Sequence, residues 1–137
     1  MNRNDLKLIV EIRLKEAKAL LDQKHYDGAY YLAGYAVECA LKACIAKQTK
    51  RYDFPNKTIV RDSYTHDLKQ LIRVAGLQGI LETEMVRDAD FAVNWATVKD
   101  WSSASRYELH EAPLAKSLYD AVTNKKHGVL RWLKRHW

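Results

Sequence analysis

The sequence contains few of the residues that interrupt or cross-link a chain. Its 137 residues include two prolines, five glycines and two cysteines. So few prolines and glycines argue against a turn-rich β-sandwich and favour long helices. Cys39 and Cys44 lie on one predicted helix, about 140° apart around its axis, so a disulfide between them would require unwinding. We therefore expect two core thiols and a reducing, cytoplasmic location.

The sequence also lacks the spacing of common metal sites and any long apolar segment. It has no Cys-x-x-Cys pair and no His-Glu-x-x-His motif. No apolar stretch approaches the ~20 residues of a membrane span, and the first residues do not resemble an export signal. A membrane-surface role for the last helix is disfavoured because the core requires Leu118, Val122 and Val129. We therefore predict no metal site, no cofactor and no membrane association.

Positive charge exceeds negative charge, with a formal net charge of +6. An excess of this sign attracts phosphate polyanions, although it is also compatible with a merely solvated surface. Basic residues are concentrated in a loop after the second predicted helix and at the C-terminal end. We predict that these two groups contact nucleic acid or nucleotide, with these residues as candidates: Lys50, Arg51, Arg61, Arg131, Lys134 and Arg135.

Apolar residues recur at helical spacing along most of the chain, which predicts one all-α domain over residues 1–137. Asn4 or Asp5 is the expected cap of the first helix, and Thr65 that of the third. The fourth helical pattern is interrupted at Asp88, and the last is weakened near Gly128. Residues 48–65 and 101–111 lose the period and are predicted to be irregular. The predicted helices cover residues 6–23, 26–47, 66–74, 77–100 and 113–133.

Polar and aromatic side chains on these helices allow more than one interpretation. Glu38 and Lys42 are one helical turn apart, so they form either an exposed ion pair or a buried anchor that needs partners. Trp95 and Trp132 fall on core stripes. Trp101 and Trp137 fall outside them, which leaves these two as candidate platforms for stacking on bases.

Three segments together resemble a known family. Residues 29–43, Ala-Tyr-Tyr-Leu-Ala-Gly-Tyr-Ala-Val-Glu-Cys-Ala-Leu-Lys-Ala, resemble the second helix of HEPN domains. Residues 66–71, beginning His-Asp-Leu, are similar to the start of that family's next helix. The segment from Trp101 to Tyr107 resembles its Trp…Arg-Tyr segment before the last helix.

The resemblance implies an up-and-down bundle of four to five helices that forms a homodimer and is often encoded beside a minimal nucleotidyltransferase. Such pairs act in toxin–antitoxin or related defence modules. Many family members are metal-independent endoribonucleases whose motif is an Arg, usually followed by a polar residue, and then a His after four to six intervening residues. Others lack this motif and bind without cleaving.

Arg106 and His110 lie where the family places its motif, with Arg to stabilise charge on the phosphate and His to accept the 2′-OH proton. However, only three residues separate them, and Tyr107 follows the Arg. We therefore favour an RNA- or nucleotide-associated binding protein that is a homodimer and the partner of a nucleotidyltransferase in a toxin–antitoxin or defence-type module. Such a protein would contact its ligand through Arg106, Tyr107 and the two groups of basic residues. The alternative is a metal-independent endoribonuclease that depends on Arg106 and His110.

Two further Arg/His pairs match the spacing of the motif but lie elsewhere in the chain. Arg61 and His66 precede the third predicted helix, where His66 is expected to serve helix entry. Arg131 and His136 lie at the extreme C-terminal end, and we interpret this match as coincidence.

Overall fold

The structure is a computed structural model that describes residues 1–49, 54 and 56–137. The described chain is all-helical, as predicted, and five of its helices have ten or more residues. None of the described helices is long and apolar enough to cross a membrane. The helices are α1 (Arg3–Asp22), α2 (Tyr26–Gln48), α3 (Lys57–Asp62), α4 (Leu68–Val74), α5 (Gln78–Arg87), α6 (Ala89–Val98), a 3₁₀ helix (Ser103–Tyr107), α7 (Ala112–Thr123) and α8 (Val129–Leu133).

The first two helices form a hairpin through a three-residue turn in which Lys24 has a positive φ of 63°. The cap of α1 is Asn2, two residues before Asn4 and three before Asp5, so that prediction was wrong. Asn2 accepts a hydrogen bond from the Asp5 backbone N–H at 2.9 Å, and its own N–H donates to the Asp5 carboxylate at 3.0 Å. This reciprocal capping box satisfies two orphan donors at the start of α1.

Two predicted helices are each divided at the residues where their patterns weakened. Asp88 ends α5 and caps α6, because its side chain accepts a hydrogen bond from the Phe91 N–H at 3.1 Å. Asn124 ends α7, and its side chain accepts from the backbone N–H groups of Lys126 and His127. A Cβ on Gly128 would lie 2.4 Å from the Asn124 carbonyl oxygen, so the turn between α7 and α8 needs glycine.

The segment between α2 and α4 differs from its prediction. Residues 57–62 form the short helix α3, which Asn56 caps through a 2.8 Å hydrogen bond from the Thr58 N–H. The cap of α4 is Asp67 and not Thr65, since the Asp67 carboxylate accepts from the Lys69 N–H at 2.9 Å. The predicted RNA-contacting residues Lys50 and Arg51 lie outside the described residues.

One cluster of buried apolar side chains joins α1, α2 and α4–α8. Trp95 and Trp132 belong to it, as predicted. Trp101 belongs to it as well, with 2% of its surface exposed, so it cannot be the predicted stacking platform.

The two cysteines are buried and unpaired, which confirms the predicted core thiols. Burial raises the pKa of the Cys39 thiol to about 11 and that of Cys44 to about 12. Both thiols are therefore protonated at neutral pH.

Candidate functional site

The end of the 3₁₀ helix presents a cation and an aromatic ring to solvent. The Arg106 guanidinium carbon lies 4.9 Å from the centre of the Tyr107 ring, and Tyr107 is 81% exposed. The hydroxyls of Tyr107 and then Tyr31, as hydrogen-bond acceptors, raise the pKa of Arg106. The guanidinium is therefore a permanent positive charge held beside an exposed ring.

The imidazole of His110 lies in a different environment, with 8% of its side chain exposed. Its ring stacks on Tyr30 at a centroid distance of 3.9 Å and an interplanar angle of 13°. The His110 backbone N–H donates to the Asp27 carboxylate, which fixes the start of the connection to α7 against α2.

Two carboxylates flank this imidazole without hydrogen-bonding to it. Nδ1 lies 3.7 Å from an Asp27 oxygen, and Nε2 lies 3.6 Å from a Glu108 oxygen. Both distances exceed the usual ~2.7–3.2 Å of an N–H···O hydrogen bond. Nδ1 is buried and has no hydrogen-bond partner within the described part of the chain.

The predicted catalytic residues Arg106 and His110 therefore lie in one short segment, but their contacts among the described residues are different. Arg106 contacts Tyr107 and Tyr31, whereas His110 contacts Tyr30 and the two carboxylates. Tyr30 and Tyr31 are consecutive on α2, so both predicted residues rest on the same part of that helix.

The other Arg/His combinations are not brought together either. The Arg61 Nε lies 3.2 Å from the Asp62 carboxylate, while His66 is bound to α2. Arg131 lies 3.8 Å from Glu84, whereas the His136 ring packs edge-on against Trp132.

Glu38 is a buried anchor in the middle of α2, with 2% of its surface exposed. One carboxylate oxygen is 2.8 Å from His66 Nδ1, and the other is 3.7 Å from Lys42 Nζ. His66 thus connects the entry of α4 to α2. Both residues lie in segments that resemble the family, and this shared membership was the signal that could have suggested their contact.

Trp101 packs directly against the backbone of α2. A Cβ built on Gly34 would lie 2.2 Å from the Trp101 ring, so only glycine admits the indole at this position. Trp101 also immediately precedes the segment that carries Arg106 and His110, and its burial fixes where that segment leaves α6.

A second surface is a groove of about 670 Å³ between α1, α7 and α8. Two predicted RNA-contacting residues line it, Arg131 and Lys134. Lys134 is paired with Glu11 at 2.8 Å, whereas Arg131 lies at the longer distance of 3.8 Å from Glu84. Arg135 is exposed but does not line this groove. The sequence did not suggest the groove because its walls come from opposite ends of the chain.

Three potential metal-ligating groups also approach one another, although the sequence spacing predicted no metal site. Atoms of Asp88, Asp90 and His127 lie within 4.8 Å of one another. His127 Nδ1 is 2.8 Å from Asp88, and this hydrogen bond is the main cause that lowers the pKa of the Asp88 carboxyl. Asn94 donates to the His127 carbonyl at 2.9 Å. These contacts hold the α7–α8 turn against the start of α6, which accounts for the arrangement structurally.

Comparison with known proteins gives one family. A family model described as HEPN domain matches residues 4–136. No curated protein and no solved structure matches the chain. The matched range contains all three segments on which the resemblance rested, and it runs from α1 to beyond α8.

Proposed function

Since this chain belongs to the HEPN domain family, we propose that it is an RNA- or nucleotide-associated binding protein. In this proposal it acts as a homodimer and as the partner of a nucleotidyltransferase in a toxin–antitoxin or related defence module. The observation that carries the RNA-binding part is the exposed pair of Arg106 and Tyr107. A guanidinium can bind a phosphate while the neighbouring ring stacks on an unpaired base. Single-stranded RNA is therefore the proposed ligand of this surface.

The proposal includes a single domain over residues 1–137 in the cytoplasm. The single cluster of buried side chains supports one domain. The unpaired Cys39 and Cys44 support a reducing compartment. No metal or cofactor is required by this function.

The environment of His110 favours binding over cleavage. A general base must approach the proton it removes to about 2.6–3.2 Å, directly or through one water. With 8% of its side chain exposed and one face covered by Tyr30, the imidazole is poorly accessible to RNA. Arg106 meanwhile contacts Tyr107 and Tyr31, which are not the contacts of His110 in the described part of the chain.

Binding can be measured by fluorescence anisotropy with a labelled single-stranded RNA of 12 nucleotides. We expect Arg106→Ala and Tyr107→Ala each to weaken the affinity about tenfold, because each removes one phosphate contact or one stacking platform. Arg73→Ala is the matched control, since it removes the same charge from an exposed position of α4. Equal losses in Arg73→Ala and Arg106→Ala would mean that only net charge matters, and would contradict the proposed site.

The homodimer is supported by exposed leucines beside this surface. Leu109 is 91% exposed and Leu114 is 56% exposed, and both belong to the connection into α7 or its first turn. Two strongly exposed leucines within six residues of each other in the sequence offer apolar surface to a protein–protein contact. Light scattering coupled to gel filtration should give the mass of a dimer for the wild type and of a monomer for Leu109→Asp. A monomeric wild type would contradict the homodimer.

The alternative is a metal-independent endoribonuclease that uses Arg106 and His110. It is supported by the two carboxylates beside the His110 ring, which could stabilise the imidazolium formed when the ring accepts a proton. Cleavage of total RNA in EDTA tests it, with folded fractions matched by circular dichroism. Cleavage that is lost in His110→Ala and Arg106→Ala but retained in His66→Ala would establish the nuclease and overturn the binding proposal.

A further inference from the structure

The groove between α1, α7 and α8 is built on two walls with an apolar floor. On α1 its lining residues follow the spacing i, i+3, i+4 and i+7, namely Glu11, Leu14, Lys15 and Lys18. At 1.5 Å per residue this wall is about 10.5 Å long, which is two turns of a helix. The opposite wall comes from the end of α7, the following turn and α8.

The accessible lining of the groove is mainly apolar, and its apolar side chains are aliphatic with one exception. Leu14 of α1 and Leu130 of α8 reach this lining with 8% and 6% of their surface, above the fully buried Val122. Tyr119 is the single aromatic residue among the lining residues. The floor therefore suits aliphatic side chains better than a series of stacked bases, which would need aromatic platforms.

Charge along the rim of the groove is strongly positive. Lys134 is neutralised by Glu11, the one carboxylate in the lining, and Lys18 is paired with Asp22. Lys15 and Lys125 have no ion-pair partner within the described residues. The cations in the lining, which come from both walls, are Lys15, Lys18, Lys125, Arg131 and Lys134.

Arg131 adds to the excess of positive charge at the α8 wall of the groove. Its Nη2 is 3.8 Å from Glu84, and its Nε is buried without a hydrogen-bond partner in the part of the chain that the structure describes. The Arg131 side chain is 28% exposed, so its guanidinium can also meet a carboxylate placed in the groove.

From these features we propose that the groove docks an acidic amphipathic helix of a partner protein. Aliphatic side chains on one face of the partner helix match the mainly apolar lining, while its acidic side chains meet cations on both walls. The inference rests on the partner role within the proposed function and assigns that role a surface, separate from Arg106 and Tyr107.

RNA is the competing occupant, and the groove fits it less well. Phosphates would meet the same cations, but neither a duplex backbone nor an unpaired base gains much from an aliphatic floor. The exposed cation and aromatic ring needed for a stacked base lie instead on the 3₁₀ helix.

The test uses the full chain labelled with ¹⁵N and three probes in separate titrations followed by NMR. The first probe is a 14-residue stapled helix with leucines on one face and glutamates beside them. The second has the same composition with its leucines redistributed around the helix, and the third is a single-stranded RNA of 12 nucleotides. We expect the first peptide to shift groove amides and to bind about tenfold more tightly than the second.

Two neighbouring lysines give a matched pair of variants. Lys125 lines the groove, whereas Lys126 is exposed in the same turn and does not line it. Lys125→Glu should weaken binding of the amphipathic peptide about tenfold, while Lys126→Glu should leave it within about twofold. The ¹⁵N spectra of both variants verify that they are folded.

Absence of peptide binding, or shifts outside the groove, would overturn the proposal. Equal binding of the two peptides, or equal effects of the two variants, would overturn it too, because either result reflects net charge alone. RNA that shifts the same amides and displaces the peptide would identify a nucleic-acid groove instead. Loss of RNA affinity in Arg106→Ala and Tyr107→Ala is a separate measurement, so failure of the groove and failure of RNA binding remain distinguishable.

Discussion

The middle of α2 and the segment from Arg106 to His110 both lie within the range that matches the family, yet they differ in burial. In α2, Gly34 admits the buried Trp101 and Glu38 is bound by His66. In the second segment, His110 is held against Tyr30 and Asp27, while Tyr107 and Leu109 are largely exposed.

The contrast teaches that a residue type indicates little until its environment is known. His66 makes a 2.8 Å contact with a buried carboxylate and serves the fold. His110 is flanked by two carboxylates at longer distances and stacks on a tyrosine. We therefore expect substitutions in the first region to change the free energy of unfolding, and substitutions in the second to change binding.

The largest effect is expected for Gly34→Ala. The new methyl group would overlap the Trp101 ring, which backbone and core neighbours hold in place, so the free energy of unfolding should fall by about 3 kcal/mol. Urea unfolding measures this loss. Gly79→Ala is the control because a Cβ there meets nothing within 4 Å, and it should be neutral or stabilise by up to about 1 kcal/mol. Similar losses in both variants would remove the special role of Trp101.

The next effect is that of His66→Ala. Its removal leaves the buried Glu38 carboxylate with only the 3.7 Å contact to Lys42, which should cost about 2 kcal/mol. The same urea measurement on His25→Ala should show a change within about 0.5 kcal/mol, because His25 is exposed and its side chain makes no capping hydrogen bond. A neutral His66→Ala would show that Glu38 does not depend on the imidazole.

A smaller, pH-dependent effect is expected for Asp88→Asn. The hydrogen bond from His127, followed by that from the Phe91 N–H, lowers the pKa of Asp88 below its ordinary 3.8. Because the folded-state pKa is the lower one, the carboxylate stabilises the fold above pH 3.8, and this contribution is lost as the pH falls further.

Asn keeps the ability to cap α6, so this substitution isolates the charge. Guanidinium unfolding should show Asp88→Asn to be less stable than the wild type at pH 7, with a difference that shrinks towards pH 3. A difference that is unchanged by acidification would assign the loss to hydrogen-bond geometry and not to ionisation.

The smallest effect on stability is expected for Arg106→Ala and Tyr107→Ala. Both side chains lie at the surface, so thermal unfolding should indicate changes within about 0.5 kcal/mol. The same variants are those expected to lose RNA affinity. A large loss of stability would mean that the Arg106–Tyr107 pair is part of the fold and would end the contrast between the two regions.

Much of the fold was predictable because the helical spacing of apolar residues marks most of the helices. Helices α1 and α2 follow their apolar stripes to within a few residues, and the weak points at Asp88 and Gly128 became helix boundaries. Local sequence signals also gave two wrong predictions of capping residues, those of α1 and α4. The sequence offered several polar residues near each helix start, and only the folded backbone selects Asn2 and Asp67 as caps.

The candidate sites were less predictable because they depend on contacts between distant segments. The burial of Trp101 could not be read from its own aperiodic surroundings, since it depends on a glycine in α2. The groove brings together Lys15 of α1 and Lys125 of the turn after α7, which are far apart in the sequence. The resemblance to the family pointed to Arg106 and His110 as a pair. That the two side chains have different contacts could be learned only from the structure.

The contact between Gly34 and Trp101 also has a consequence for the order of folding. The α1–α2 hairpin closes over three residues, whereas Trp101 can reach Gly34 only after the intervening segment 35–100 has been arranged. Closing a longer loop costs more entropy, so local helical contacts form first and distant ones later. Refolding followed by hydrogen exchange should therefore find the hairpin amides protected early and the amides around residues 101–110 protected late, so that the segment proposed to contact RNA is the last to acquire its shape.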